Sequence, residues 1–138
     1  MSEALVATWL GRLAYIDGWR LQEAVATRVR AGGLDRLLLL EHDPVYTIGR
    51  RGSVANLTAA PSELRAHGAS AYRVDRGGDI TYHGPGQLVG YPIVALGDPP
   101  DLVGYVRALE AALIDALAGY NVAARRVERK TGVWVDLP

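Results

Sequence analysis

The glycine-rich segment DRGGDITYHGPGQLVGYP, residues 75–92, carries the side chains best suited to chemistry. Paired glycines can adopt left-handed backbone angles and let a ligand come close to main-chain N–H groups. Gly77 and Gly78 could therefore form a nest for an oxyanion or a carbonyl oxygen. Arg76 could place a fixed cation beside that nest.

A second feature of the segment is Pro85-Gly86, which matches the central pair of a type II turn and would bring Gln87 back near His83. A purely structural interpretation stays open, because two tight turns joining three strands need the same glycines and leave His83 as a hydrogen-bonded bystander. The spacing excludes a dinucleotide-binding loop and a Walker loop. The sequence also has no G-x-S-x-G elbow and no H-E-x-x-H metal pair.

Composition limits the class of protein. A chain of 138 residues with 49% hydrophobic and 22% charged residues fits one compact domain, so we expect residues 1–138 to form a single domain. Fifteen basic residues balance fifteen acidic ones, which argues against a nucleic-acid or membrane partner. The absence of cysteine excludes disulfides, thiolate metal sites and a cysteine nucleophile within these residues. With no secretory leader and no apolar span of ~20 residues, a cytoplasmic location is expected.

The elements that position the glycine-rich segment follow from apolar periodicity. The first predicted helix begins at Asp17 as N-cap and is stopped by Gly32, and a short helix is predicted after Pro61. A third helix is predicted to begin at Asp101 and to end at Gly119, which is expected to be left-handed. Apolar runs predict strands, in chain order, at Ala4–Leu10, Leu37–Leu40, Val45–Ile48, Ala71–Val74, Leu88–Leu96, Asn121–Val127 and Thr131–Val135. Strands and helices interleave without a clean βαβ period, which predicts an α+β domain with a mixed β-sheet flanked by helices.

Three ordered motifs carry a family resemblance. RGGDITYHGPGQ, from Arg76, resembles the signature of lipoyl(octanoyl) transferases, which runs R-G-G, then T, an aromatic residue, H, x and P-G-Q. EHDPVYTIG at residues 41–49 resembles that family's upstream E-H-x-P-V-[FY]-T motif, and TGVWV at residues 131–135 resembles the strand after its long helix. Together the motifs cover almost the whole chain, which resembles the N-terminal portion of the family.

The resemblance implies the fold of the biotin and lipoate protein ligase catalytic domain, incomplete at its C-terminus. It also implies transfer of an octanoyl group from acyl carrier protein to a lysine of a lipoyl domain, a step of lipoate biosynthesis. The implied partners are octanoyl-acyl carrier protein, the lipoyl domains of 2-oxoacid dehydrogenases and the glycine cleavage H protein. The family forms a thioester on a cysteine whose pKa a nearby lysine lowers, with no cofactor and no metal.

Carried over by position, the resemblance makes one octet the acyl-substrate loop: Arg76, Gly77, Gly78, Asp79, Ile80, Thr81, Tyr82 and His83. Ile80 and Tyr82 would be its apolar walls, and burial of each methylene of the tail would contribute ~0.8 kcal/mol. Backbone N–H groups near Gly77 and Gly78 would face the thioester carbonyl.

The resemblance places the family's lysine and cysteine after Pro138, so we expect no catalytic residue in this chain and no transfer by it alone. Lys130, the sole lysine, is expected to be a solvated cation, and His42 to be structural. Two alternatives to octanoyl transfer remain: an ATP-dependent lipoate or biotin protein ligase, and a catalytically dead acyl-binding fragment.

Overall fold

The computed structural model describes residues 4–136 of the protein, which fall into two compact units that meet in sequence between Ala95 and Leu96. The second unit contains one long helix, α3 (Leu102–Ala118). The first unit contains, in chain order, β1 (Leu5–Leu13), α1 (Tyr15–Arg30), β2 (Asp35–His42), β3 (Val45–Ile48), a 3-10 turn (Val54–Asn56), α2 (Pro61–Ala66), β4 (Ser70–Arg73), β5 (Ile80–His83) and β6 (Val89–Ile93). That the two units form one domain stays a prediction.

The strands of the first unit form two mixed sheets of three strands. One has the order β1-β2-β6, with β1 parallel and β6 antiparallel to the central strand, and the other has the order β4-β3-β5 with the same arrangement. The predicted α+β class with mixed strands and helices is confirmed, although one sheet was predicted. The chain changes sheet at Pro44, which has no N–H to continue the ladder of β2.

The first sheet is organised around β2, whose leucine run makes it a central strand. Leu38 and Leu40 are buried on the face covered by α1, which packs against β2 and β6. The helix ends at Arg30 before Gly32, which has a φ of +90° and stops it as predicted. Its N-cap is Ala14 and not the predicted Asp17, because the helix follows β1 at once and the first helical N–H groups donate to the Ala14 carbonyl.

The second unit is built on α3, which begins as predicted. Asp101 caps it by accepting a hydrogen bond from the Gly104 N–H at 2.8 Å. The predicted left-handed Gly119 is wrong, since its φ is −61°, and the left-handed residue is Asn121 with a φ of 59°. The two strands predicted beyond it are also wrong, because the described chain there forms only one isolated bridge between Arg125 and Trp134.

The apolar core of the described residues lies in the first unit. Its buried hydrophobic side chains come from α1, α2 and the central strands of both sheets: Val29, Leu38, Leu40, Val45, Ile48 and Leu64. This core fixes the ends of β2 and β3, from which the polar side chains of the candidate site project. None of the helices within residues 4–136 has the length and apolar character needed to cross a membrane.

Candidate acyl-binding site

The residues that follow β3 hold the backbone of the glycine-rich loop. The N–H of Gly49 donates to the Asp79 carbonyl at 2.8 Å, and the N–H of Arg50 donates to the Arg76 carbonyl at 2.9 Å. Gly49 has no room for a side chain, because a Cβ there would lie 2.5 Å from the Gly78 carbonyl oxygen. Two motifs that are separate in sequence are thus joined at one place in the fold.

Arg76 is fixed by the strand next to it. Its guanidinium donates to the Thr47 carbonyl at 2.6 Å, to the Thr47 hydroxyl at 2.9 Å and to the Gly77 carbonyl at 2.8 Å. Thr47 is itself buried, with 2% of its surface exposed, so this anchor is part of the core of the second sheet. The Arg76 guanidinium is therefore held in one position, and its role as a fixed cation beside a ligand stays a prediction.

Asp79 connects the octet to the segment around the 3-10 turn. Its carboxylate accepts hydrogen bonds from the Asn56 side-chain amide at 2.6 Å and from the Ser53 N–H at 3.3 Å. Both partners belong to the segment around the 3-10 turn, so Asp79 ties that turn to the loop. In this arrangement its role is to stabilise the shape of the loop.

The four octet residues in β5 alternate between the two faces of the second sheet. Ile80 and Tyr82 share one face, while Thr81 and His83 lie on the other. The Tyr82 ring packs against Tyr46 on β3 at 5.1 Å between centroids and stays half-exposed. Ile80 and Tyr82 are thus on the sheet face opposite His83, and their assignment as walls of an acyl site stays a prediction.

The predicted type II turn after β5 is confirmed. Gly86 has a φ of +85°, and the N–H of Gln87 donates to the Gly84 carbonyl at 3.1 Å. The turn brings the Gln87 side-chain oxygen to 3.0 Å from Nδ1 of His83. Glu41, at the end of β2, accepts the Gly86 N–H at 2.9 Å and attaches the turn to the first sheet.

A groove of about 410 Å³ lies in the first unit between α1, the segment 74–76 and β6. Its lining is mainly apolar, with Arg76 contributing a guanidinium from the octet. The apolar part of the lining includes Trp19 and Ile93, and the charged part consists of Arg76, Glu23, Arg30 and Asp75. A groove with apolar walls and a few charged groups, one of them the fixed guanidinium of Arg76, suits a ligand with a hydrocarbon body and a polar end.

A cluster of aromatic rings borders the groove. The Tyr15 ring lies 5.2 Å from His42 and 5.3 Å from Tyr72, between centroids, and the Tyr91 hydroxyl lies 2.7 Å from Nε2 of His42. Burial raises the pKa of Tyr91 to about 12 and also raises the pKa of Tyr15. Both phenols are therefore neutral at physiological pH.

Sequence reasoning missed Tyr15 and Tyr91. Tyr91 lies inside the glycine-rich segment, and that position was a usable signal. Tyr15 had no such signal, because it reaches the site only through the packing of α1 on the sheet. Within residues 4–136 no three His, Cys, Asp or Glu side chains come together in a group that could hold a metal ion.

The family model of the lipoyl protein ligase A/B catalytic domain matches residues 14–137. The chain belongs to this family. Among curated relatives, the octanoyltransferase of Mycolicibacterium gilvum is 48% identical over 97% of this chain and 53% of its own length. The octanoyltransferase of Rubrobacter xylanophilus is 50% identical over 91% of this chain and 58% of its own length. The chain thus spans about half the length of the curated relatives it matches.

Solved structures of lipoate protein ligases agree with the fold. A bi-partite lipoate protein ligase from Thermoplasma acidophilum superposes with a TM-score of 0.65 at 22% identity, covering 93% of this chain and 49% of its own. A lipoate-protein ligase A bound with ATP gives a TM-score of 0.64 at 21% identity, covering 100% of this chain and 53% of its own. At these identities the likeness establishes the fold alone.

Proposed function

We propose that the whole protein is an octanoyltransferase that moves an octanoyl group from the phosphopantetheine thioester of acyl carrier protein to a lysine of a lipoyl domain. The observation that supports this most directly is identity of 48–50% to curated octanoyltransferases over more than nine tenths of the chain. The covalent step would be attack by a cysteine thiolate on the thioester carbonyl, which releases the phosphopantetheine thiol of the carrier and leaves an acyl-cysteine. The lysine amine would then attack this second thioester, form the amide and release the cysteine thiol. The 138 residues contain no cysteine, so that step requires residues other than these.

The part of the reaction that we assign to this chain is binding of the acyl group. The groove beside α1 offers Trp19, Tyr91 and Ile93 to a hydrocarbon tail, and each buried methylene contributes ~0.8 kcal/mol. Arg76 would direct a hydrogen-bond donor towards the carbonyl end of the ligand. In this proposal the octet from Arg76 to His83 remains the acyl-substrate loop, with Arg76 as the member that reaches the groove.

The partners follow from the reaction. The donor would be octanoyl-acyl carrier protein, and the acceptors would be lipoyl domains of 2-oxoacid dehydrogenases and the glycine cleavage H protein. A cytoplasmic location is part of the same proposal. None of these steps requires a nucleotide, which separates the transferase from the ATP-dependent ligase.

Trp19 provides a direct test, because it lines the groove while Trp134 belongs to the second unit. Titration of the 138-residue chain with S-octanoyl pantetheine should change its tryptophan fluorescence in a saturable way. Trp19→Phe should abolish the change, and the matched control Trp134→Phe should retain it. A signal that survives Trp19→Phe would place the ligand elsewhere. ATP-dependent release of pyrophosphate with octanoate would favour the ligase.

A further inference from the structure

His42 is a completely buried histidine with both ring nitrogens hydrogen-bonded, as burial of a polar ring requires, and one of its two partners lines the groove. Nδ1 lies 3.1 Å from the Leu13 carbonyl oxygen, which can only accept a hydrogen bond, so Nδ1 carries the hydrogen. Burial lowers the pKa of His42 and keeps the ring neutral. Nε2 is then an acceptor, and the Tyr91 hydroxyl, 2.7 Å away, donates to it.

The imidazole cannot turn out of this arrangement. A Cβ at Gly18, on the buried side of α1, would lie 2.8 Å from Cε1 of His42, so the helix touches the ring there. The Tyr15 ring covers the imidazole at 5.2 Å between centroids. The ring is held by the helix on one side and by the Leu13 carbonyl on another.

Tyr91 links His42 to the groove, because it is one of the residues that line the groove. Its hydroxyl hydrogen is committed to His42, and its oxygen also takes part in a hydrogen bond with the Gln22 side chain. The hydroxyl is therefore satisfied within the protein. Tyr91 therefore contributes no free hydrogen-bond donor to the wall of the groove.

We propose that His42 is a positioning residue of the acyl groove, which holds the Tyr91 hydroxyl hydrogen inside the protein and so keeps that wall dry for a hydrocarbon tail. The identity of the ligand rests on the proposed function. Without an acceptor at Nε2, the hydroxyl donates to water in the groove, and an incoming tail must displace that water. The expected loss of affinity is about three- to tenfold, as for one unmade hydrogen bond.

His42→Asn tests the proposal, because the asparagine amide nitrogen can replace Nδ1 and still donate to Leu13, whereas its oxygen takes the place of Cδ2 and leaves no acceptor at the position of Nε2. S-octanoyl pantetheine is titrated into the 138-residue chain, with Trp19 fluorescence as the readout, for wild type, His42→Asn, Tyr91→Phe and the double variant. His42→Asn should weaken binding about three- to tenfold in the wild-type background. In the Tyr91→Phe background, His42→Asn should cause no further loss of affinity, whatever the affinity of the Tyr91→Phe variant itself.

An equal loss in both backgrounds would show a general structural effect and overturn the proposal. A second measurement does not depend on any variant: ¹⁵N NMR of wild-type His42 should show the neutral tautomer protonated on Nδ1. The Nε2-protonated tautomer would also overturn it. Failure of the wild-type chain to bind the thioester, with the tautomer as expected, would instead refute the proposed function and the ligand assigned to the groove.

Discussion

At the scale of single residues, Gly49 makes the contact between β3 and the glycine-rich loop. Gly49→Ala would place a Cβ 2.5 Å from the Gly78 carbonyl oxygen and 2.9 Å from a guanidinium nitrogen of Arg76. The loop has to move, so we expect a loss of about 1–3 kcal/mol in the free energy of unfolding. Urea denaturation measures this loss.

The matched control is Gly77→Ala in the same loop, where a Cβ would meet nothing within 4 Å. This variant should unfold at nearly the wild-type urea concentration. Similar destabilisation by the two substitutions would contradict the close approach of β3 to the loop.

Thr47 is the residue that anchors Arg76. Thr47→Val keeps the shape of the side chain but removes the hydroxyl that accepts from the guanidinium at 2.9 and 3.2 Å. A hydrogen bond to a charged group contributes about 1.5–3 kcal/mol, so we expect lower stability and weaker binding of S-octanoyl pantetheine. The control is Thr8→Val, at an exposed threonine of β1 that lies outside the glycine-rich segment. Equal effects of the two variants on binding would remove the special role of the Thr47 hydroxyl.

Contacts within the candidate site could be predicted from the sequence where the two residues are close together in the chain. The turn that brings Gln87 to His83 followed from Pro85-Gly86 alone, because it needs only local backbone angles. The contacts of His42 could not be predicted in this way, since Leu13 and Tyr91 lie 29 and 49 residues away in the chain. Sequence reasoning therefore assigned it a structural role without its partners.

At the scale of elements, Glu110 joins α3 to the segment that follows it. Its side chain is 3% exposed and accepts from the Gly132 N–H at 2.8 Å, from Arg107 at 2.6 Å and from Arg126 at 3.0 Å. Glu110→Gln removes the charge but keeps the shape, so we expect a lower melting temperature for the second unit. The control is Asp115→Asn, an exposed acid on the same helix, which should melt close to wild type.

The same carboxylate predicts a pH dependence. The Gly132 N–H, followed by Arg107, lowers the pKa of Glu110 below its ordinary value of 4.5. A carboxyl with a lower pKa in the folded state stabilises the protein fully above the ordinary value and loses this effect as the pH falls through the folded pKa. The difference in melting temperature between wild type and Glu110→Gln should therefore be constant near neutral pH and should decrease in acid. A gap that widens in acid would contradict the network.

Helices were easier to predict than strand pairing. Asp101 marked the start of α3, because a cap acts on its own first turn. The prediction of strands around Arg125 and Trp134 was wrong, because alternation of apolar residues indicates that a segment is half-buried but does not show which strand it pairs with. Here Glu110 fixes this segment through side-chain bonds in place of a ladder. For the same reason the division into two sheets was not predictable.

At the scale of the whole molecule, the first sheet leaves apolar side chains on the face opposite α1. Leu5 and Trp9 of β1 are 54% and 59% exposed and alternate with the residues that face the helix. We expect the 138-residue chain to bind a hydrophobic dye and Trp9→Ser to reduce that binding with little change in stability. The control is Trp134→Ser, at a 41% exposed tryptophan in the second unit, which should reduce dye binding by the chain less than Trp9→Ser does. Unaltered dye binding by Trp9→Ser would exclude this face as the source.

Binding and turnover should separate in this chain. The groove and its polar supports all lie in the first unit, so an octanoyl thioester should bind. Attack on the thioester requires a thiolate, and the 138 residues contain no cysteine. Incubation with octanoyl-acyl carrier protein and a lipoyl domain should therefore give no octanoylated lysine by intact-mass spectrometry, while S-octanoyl pantetheine still changes the Trp19 fluorescence. Formation of the product by this chain alone would contradict the acyl-cysteine route, because the amine would then have to attack the carrier thioester directly in the groove.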